Sequence, residues 1–228
     1  MNPNKKTARI AGLLYLLVGI FGGFAEGFVE PKMYVVGNAV ATVANVVSNA
    51  GLVRLGVVSD LLDQTFFVFL ALVLYTLLRD VNRNVARVMV ILVALAVGIA
   101  CLNTIFEFEG LRVATDPSYA LALGTAGSNA LVLLLLDMQH YGLLVAQIFF
   151  GLWLAPLGYL AYRSQMFPKW LGVLLIAGSV CYIIDLLTAF LAPGFSQIIH
   201  SYIVIPSAIA EVSMVLYLLI VGVRTQKQ

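Results

Sequence analysis

Six apolar runs reach the length that crosses a bilayer, and polar or turn-forming residues separate them. About 20 apolar residues suffice for one helical crossing. The runs cover residues 10–29, 55–78, 85–106, 140–162, 167–191 and 197–223. Two further stretches, 34–53 and 118–136, predict amphipathic helices lying in the interface rather than spans. In the first, apolar residues alternate with Asn, Thr and Ser at roughly helical spacing; the second starts at an Asp116-Pro117-Ser118 helix signal. The expected fold is all-α: a multi-pass transmembrane helical bundle of six spans, with residues 1–228 forming a single membrane domain.

Composition sharpens this picture. Of 228 residues, 62% are hydrophobic and 11% charged, against about a quarter charged in a soluble domain. No room is left for a separate soluble domain. The net charge of +2 matters less than where the charges lie. With the N-terminus in the cytoplasm, ten basic residues fall inside: Lys5, Lys6, Arg9, Arg79, Arg83, Arg87, Arg163, Lys169, Arg224 and Lys227. Three fall outside: Lys32, Arg54 and Arg112. Positive charge favours the cytoplasmic side, so both termini are expected inside and both amphipathic segments on the outer face. Making 118–136 a span would send Arg163 and Lys169 outside and lose that bias. The first run starts like a signal peptide, but its apolar stretch is full spanning length. Cys101 and Cys181 lie within runs and are expected to pack as small apolar groups.

The stretch 140–168 is the least generic of the runs. His140, Leu144, Gln147, Gly151, Ala155 and Gly158 follow steps of three and four, so they share a helix face. That face is polar at one end and small at the other, where a neighbouring helix can come close. Gly19 and Gly23 form a small pair of the same kind, and Pro156 and Pro206 predict kinks. The acids concentrate towards the outer side. An ionisable group at the bilayer centre costs on the order of 3 kcal/mol, so Asp60, Asp63, Asp185 and Glu211 are not expected to face lipid. With Gln64, Asn103, His140 and Gln147 they are the candidates for a polar cavity open to the outer face. Glu26, Glu30, Glu107, Glu109 and Asp137 are expected to be solvated at helix ends.

Three functions fit these residues. The first is a non-catalytic ligand-sensing or accessory membrane protein, whose polar core gives the helices their register. The second is a small cation- or proton-coupled transporter, with mid-membrane acids such as Glu211 as relay. The third is a metal-dependent intramembrane hydrolase holding its ion on His140, Asp60 and Asp185. No nucleotide loop, nucleophile elbow, His-x-x-x-His or Cys-x-x-Cys occurs. An enzyme is therefore the lesser expectation, and no cofactor is implied. The expected partners are the lipid bilayer and a small ligand or cation, not nucleic acid.

Two stretches carry a resemblance: RLGVVSDLLDQTFFVFLALVLYTLLRDVNR at 54–83 and HYGLLVAQIFFGLWLAPLGYLAYRSQMFPKWLG at 140–172. With the opening ARIAGLLYLLVGI, they resemble the bacterial membrane-protein family known as domain of unknown function 4386. The resemblance implies an integral protein of a prokaryotic plasma membrane and brings no activity or catalytic residue with it. The matched positions are Arg54, Asp60, His140, Gln147, Pro156, Ser164 and Pro168.

Overall fold

A computed structural model describes residues 3–224, apart from the side chains of Pro3 and Gln197; Lys227 lies outside them. The described residues contain helices and no strand. Helix α1 is Pro3–Phe24, continued by a π-helical turn at Ala25–Val29 and by α2, Glu30–Met33. Helix α3 is Ala39–Ser48, α4 Ala50–Leu78, α5 Arg83–Thr115, α6 Pro117–Arg163, α7 Lys169–Leu191 and α8 Pro193–Ile220. Six helical segments are long and apolar enough to cross a membrane. Between 22% and 44% of the most apolar window in each is buried within the protein. Much of the rest is apolar surface suited to lipid, and with six such segments the chain is a multi-pass helical membrane protein.

Local chemistry sets the helix ends. The Asn38 side chain accepts from Ala41 N at 3.0 Å and starts α3. Asn82 accepts from Asn84 N and Val85 N, both at 3.2 Å, and starts α5. Asp116 accepts from Ser118 N at 2.9 Å and starts α6. Those donors also hold the exposed Asp116 carboxyl below its ordinary range. Pro168 precedes α7 in an extended conformation, at φ −65° and ψ 138°. Gly222, at φ +77°, ends α8 and donates to Tyr217 O at 2.9 Å; the left-handed turn requires glycine there.

Two boundaries differ from the sequence expectation. No break separates 118–136 from a span beginning at His140: α6 runs through both. The helix is kinked instead at Gly124, at φ +72° and ψ 159°, inside the 118–136 stretch; such a backbone conformation favours glycine. Likewise, 34–53 is α3 plus the first turn of α4. Helix α6 also continues through Pro156, and α8 through Pro206.

The chain forms two compact units. Unit 1 is Met1–Leu16, Phe66–Val97 and Leu144–Gln228; unit 2 is Leu17–Thr65 and Gly98–Leu143. In unit 1, an aromatic core holds Phe67 stacked on Phe150 at 5.3 Å and edge-on to Trp153 at 5.0 Å. There α6 and α7 cross backbone to backbone, since a Cβ on Gly158 would lie 2.6 Å from Gly172 O. This is the close approach expected of Gly158. Gly19 and Gly23 differ: no atom comes within 4 Å of a Cβ at either. The α1 glycine that meets a neighbour in unit 1 is Gly12, against Leu218 and Leu219. In unit 2, Val29, Met33, Val46, Val53, Leu111, Val113, Val132 and Leu136 form the apolar core. Cys101 and Cys181 are free thiols.

Candidate functional site

Unit 2 carries an unusual concentration of acid. Three helices each present polar residues four apart, hence on one face: Glu26 and Glu30, Asp60 and Gln64, Asn103 and Glu107. Asp63 joins them from α4. Glu107 and Gln64 are 2% exposed, Asp63 and Asn103 5%, and Asp60 9%. The Asp60 and Glu107 carboxyls lie within hydrogen-bonding reach of each other. Two carboxyl groups so placed can hydrogen-bond only if one carries a proton, because an ionised carboxylate is acceptor-only. Gln64 Nε2 donates to Asp63 Oδ2 at 2.8 Å. Glu26 lies at the exposed edge, close enough to Asp60, Asp63 and Glu30 for their charges to interact.

Glycines make this packing possible. A Cβ on Gly22 would lie 3.3 Å from the Asp63 carboxyl, and one on Gly56 3.3 Å from Glu107 Oε1. One on Gly142 would overlap Asn103 Oδ1. Each polar side chain therefore sits over the bare backbone of a neighbouring helix. Among the described residues, Gln64 Oε1, Asn103 Nδ2 and Gln139 Oε1 are buried with no hydrogen-bond partner. Such atoms are costly unless a proton, ion or water meets them.

A second layer leads towards this cluster. His140 Nδ1 lies 2.9 Å from Glu30 Oε1, and the histidine side chain is 37% exposed. Its ring also packs on Tyr34 at 5.4 Å. Tyr34 donates to Asp137. Burial, and then that hydrogen bond, push the Tyr34 phenol well above its ordinary range, so it remains a donor. Glu30 in turn lies within charge-interaction range of Asp60 and Glu107.

Unit 1 holds a different arrangement. Glu211 accepts from Tyr15 at 2.8 Å and from Tyr182 at 2.9 Å. Asp185, 2% exposed, meets His200 Nδ1 at 2.9 Å and accepts from Gln147 Nε2 at 3.1 Å. Each acid faces a donor rather than another acid.

A family described as "Domain of unknown function (DUF4386)" matches residues 10–222. The chain belongs to this family. A relative from Archaeoglobus fulgidus, described as "Uncharacterized protein", is 32% identical over 123 residues, 54% of this chain. The chain spans 60% of that relative's length. No solved structure matches.

For this DUF4386 chain, the candidates fall into two groups. Asp60, Asp63, Gln64 and Asn103 come together in unit 2, and His140 belongs to that unit through Glu30. Gln147 and Asp185 pair in unit 1, where Glu211 is held by tyrosines. His140, Asp60 and Asp185, the set considered for a metal, are divided between the units. Among the described residues no three His, Cys, Asp or Glu side chains are arranged to hold a metal ion. Arg54, Pro156 and Pro168 touch neither group in any described contact. Sequence reasoning missed Glu107 and Glu30, which looked like solvated helix ends, and the partners Tyr15, Tyr182, Tyr34 and His200. Glycine one or two turns from an acid, as at Gly22 before Glu26, was the available signal.

Proposed function

We propose that this protein is a small proton-coupled transporter of a prokaryotic plasma membrane, and that the acids of unit 2 are its proton-binding site. The observation that carries the reading is the close approach of two buried carboxyls, Asp60 and Glu107, which can hydrogen-bond to each other only through a shared proton. Two further features support it. Neither Asp60 nor Glu107 forms an ion pair with a lysine or arginine among the described residues, so a proton or a cation must neutralise that pair. The partly exposed His140–Glu30 pair supplies a way in, since histidine exchanges protons near neutrality.

In this scheme His140 takes a proton from the aqueous side and Glu30 accepts it. The Asp60–Glu107 pair holds it, and Gln64 and Asn103 orient the pair. Loading and emptying changes the repulsion among Glu26, Asp60, Asp63 and Glu107, which biases how their helices pack. The second reading, a non-catalytic sensor or accessory protein, draws on the fully matched polar contacts of unit 1, which resemble register-setting contacts.

A rapid pH step applied to proteoliposomes on a solid-supported membrane tests both. Wild type is expected to give a transient charge displacement that Glu107→Gln largely removes and His140→Ala slows. A sustained current on adding a solute from a panel of amino acids, sugars and organic acids identifies transport. A transient with every solute favours the sensor. No displacement above empty liposomes sinks proton binding altogether.

A further inference from the structure

We infer that the cleft between Arg54 and Arg112 in unit 2 is a binding site for one anionic phospholipid, its phosphate on Arg54 and its acyl chain along α4 and α5. The cleft, about 280 Å³, is lined by Arg54, Phe108, Leu111, Arg112 and Thr115. That is near the low end for small-molecule pockets, about 300–1,000 Å³, and suits a headgroup rather than a whole lipid. The chain has somewhere to go. Arg54, Val58 and Leu61 lie on one face of α4, and Arg112, Phe108 and Ile105 on one face of α5, each by steps of four and three. All four apolar residues are exposed. Each helix thus carries a guanidinium at the head of an apolar stripe, which is the layout of a phospholipid.

Charge selects the occupant. Arg112 is partly satisfied, with Nη1 donating to Glu109 at 3.3 Å and Nη2 to the Tyr119 hydroxyl at 2.7 Å. Arg54 forms no ion pair among the described residues. A guanidinium with free donors beside apolar surface pairs well with a phosphodiester, by charge-assisted and often bidentate hydrogen bonds. A zwitterionic lipid offers the same phosphate but adds a cation beside two arginines, so an anionic headgroup is preferred.

The test is native mass spectrometry of the full chain, titrated with phosphatidylglycerol or phosphatidylcholine. Wild type should retain one phosphatidylglycerol at energies that strip phosphatidylcholine. Arg54→Gln should weaken phosphatidylglycerol about tenfold, one lost charge-assisted contact. Arg54→Lys should fall between, and Arg79→Gln should bind as wild type. Arg54 is exposed, and an unchanged melting temperature verifies that each variant is folded. Equal retention of both lipids, or unchanged binding in folded Arg54→Gln, overturns the proposal. So does competition by soluble glycerol phosphate at the concentrations where the lipid binds, which would mark a pocket for free anions.

Discussion

The two polar groups solve the same problem in opposite ways. Both keep ionisable side chains inside a membrane protein, where hydrocarbon provides no partners. Unit 1 matches each acid with donors: two tyrosine hydroxyls for Glu211, a histidine and a glutamine for Asp185. Unit 2 packs acid against acid and leaves neighbouring amide atoms of Gln64, Asn103 and Gln139 unpaired. A matched acid is fixed, because moving it orphans its partners. An acid facing another acid is poised, because a single proton decides whether the pair attracts or repels. The difference separates a structural network from a site that can load and empty.

The largest expected effect breaks the matched side. Glu211→Leu leaves the Tyr15 and Tyr182 hydroxyls without their acceptor, at about 1–3 kcal/mol for each buried group. The midpoint of thermal unfolding in detergent should drop by several degrees. A midpoint within a degree of wild type would mean that the tyrosines find other acceptors at once. Next comes helix contact. Gly158→Ala drives a methyl into Gly172 O and should cost about 2 kcal/mol. Gly19→Ala, with open space around it, should change stability by less than about 0.5 kcal/mol or add slightly to it. Equal effects at the two glycines would refute the assignment of the close contact to Gly158.

That pair of glycines also marks how far the sequence could be read. Both sat in small-residue patterns, and spacing alone could not say which faced a helix and which faced lipid. The six spans were legible because apolar runs of bilayer length have few other uses. Asp60, Asp63, Gln64 and Asn103 were legible as polar positions that should not face lipid. What they touch was not, because pairing depends on helix order. Glu107 looked like a solvated helix end, yet the backbone of Gly56 lets it reach α4 and Asp60. Glu30 looked solvated too, until His140 came back to it across 110 positions of sequence. The boundary drawn at 136 was not a helix boundary for a simpler reason: residues 128–140 contain no glycine or proline, and α6 bends earlier, at Gly124.

Tyr15→Phe removes one of two donors to Glu211 and should cost about 1 kcal/mol; full retention of stability would show the Tyr182 contact suffices alone. Glu107→Gln should behave unlike any change in unit 1. It replaces an acid among acids by a neutral amide of the same size, so stability should hold within about 0.5 kcal/mol or rise. A loss as large as that of Glu211→Leu would place Glu107 with the matched, structural acids.

Infrared spectroscopy of the reconstituted protein reads directly whether the Asp60–Glu107 pair shares a proton. A protonated-carboxyl C=O band is expected near neutral pH and should disappear in both Asp60→Asn and Glu107→Gln. A band unchanged in these two variants, or no such band in wild type, would contradict a shared proton.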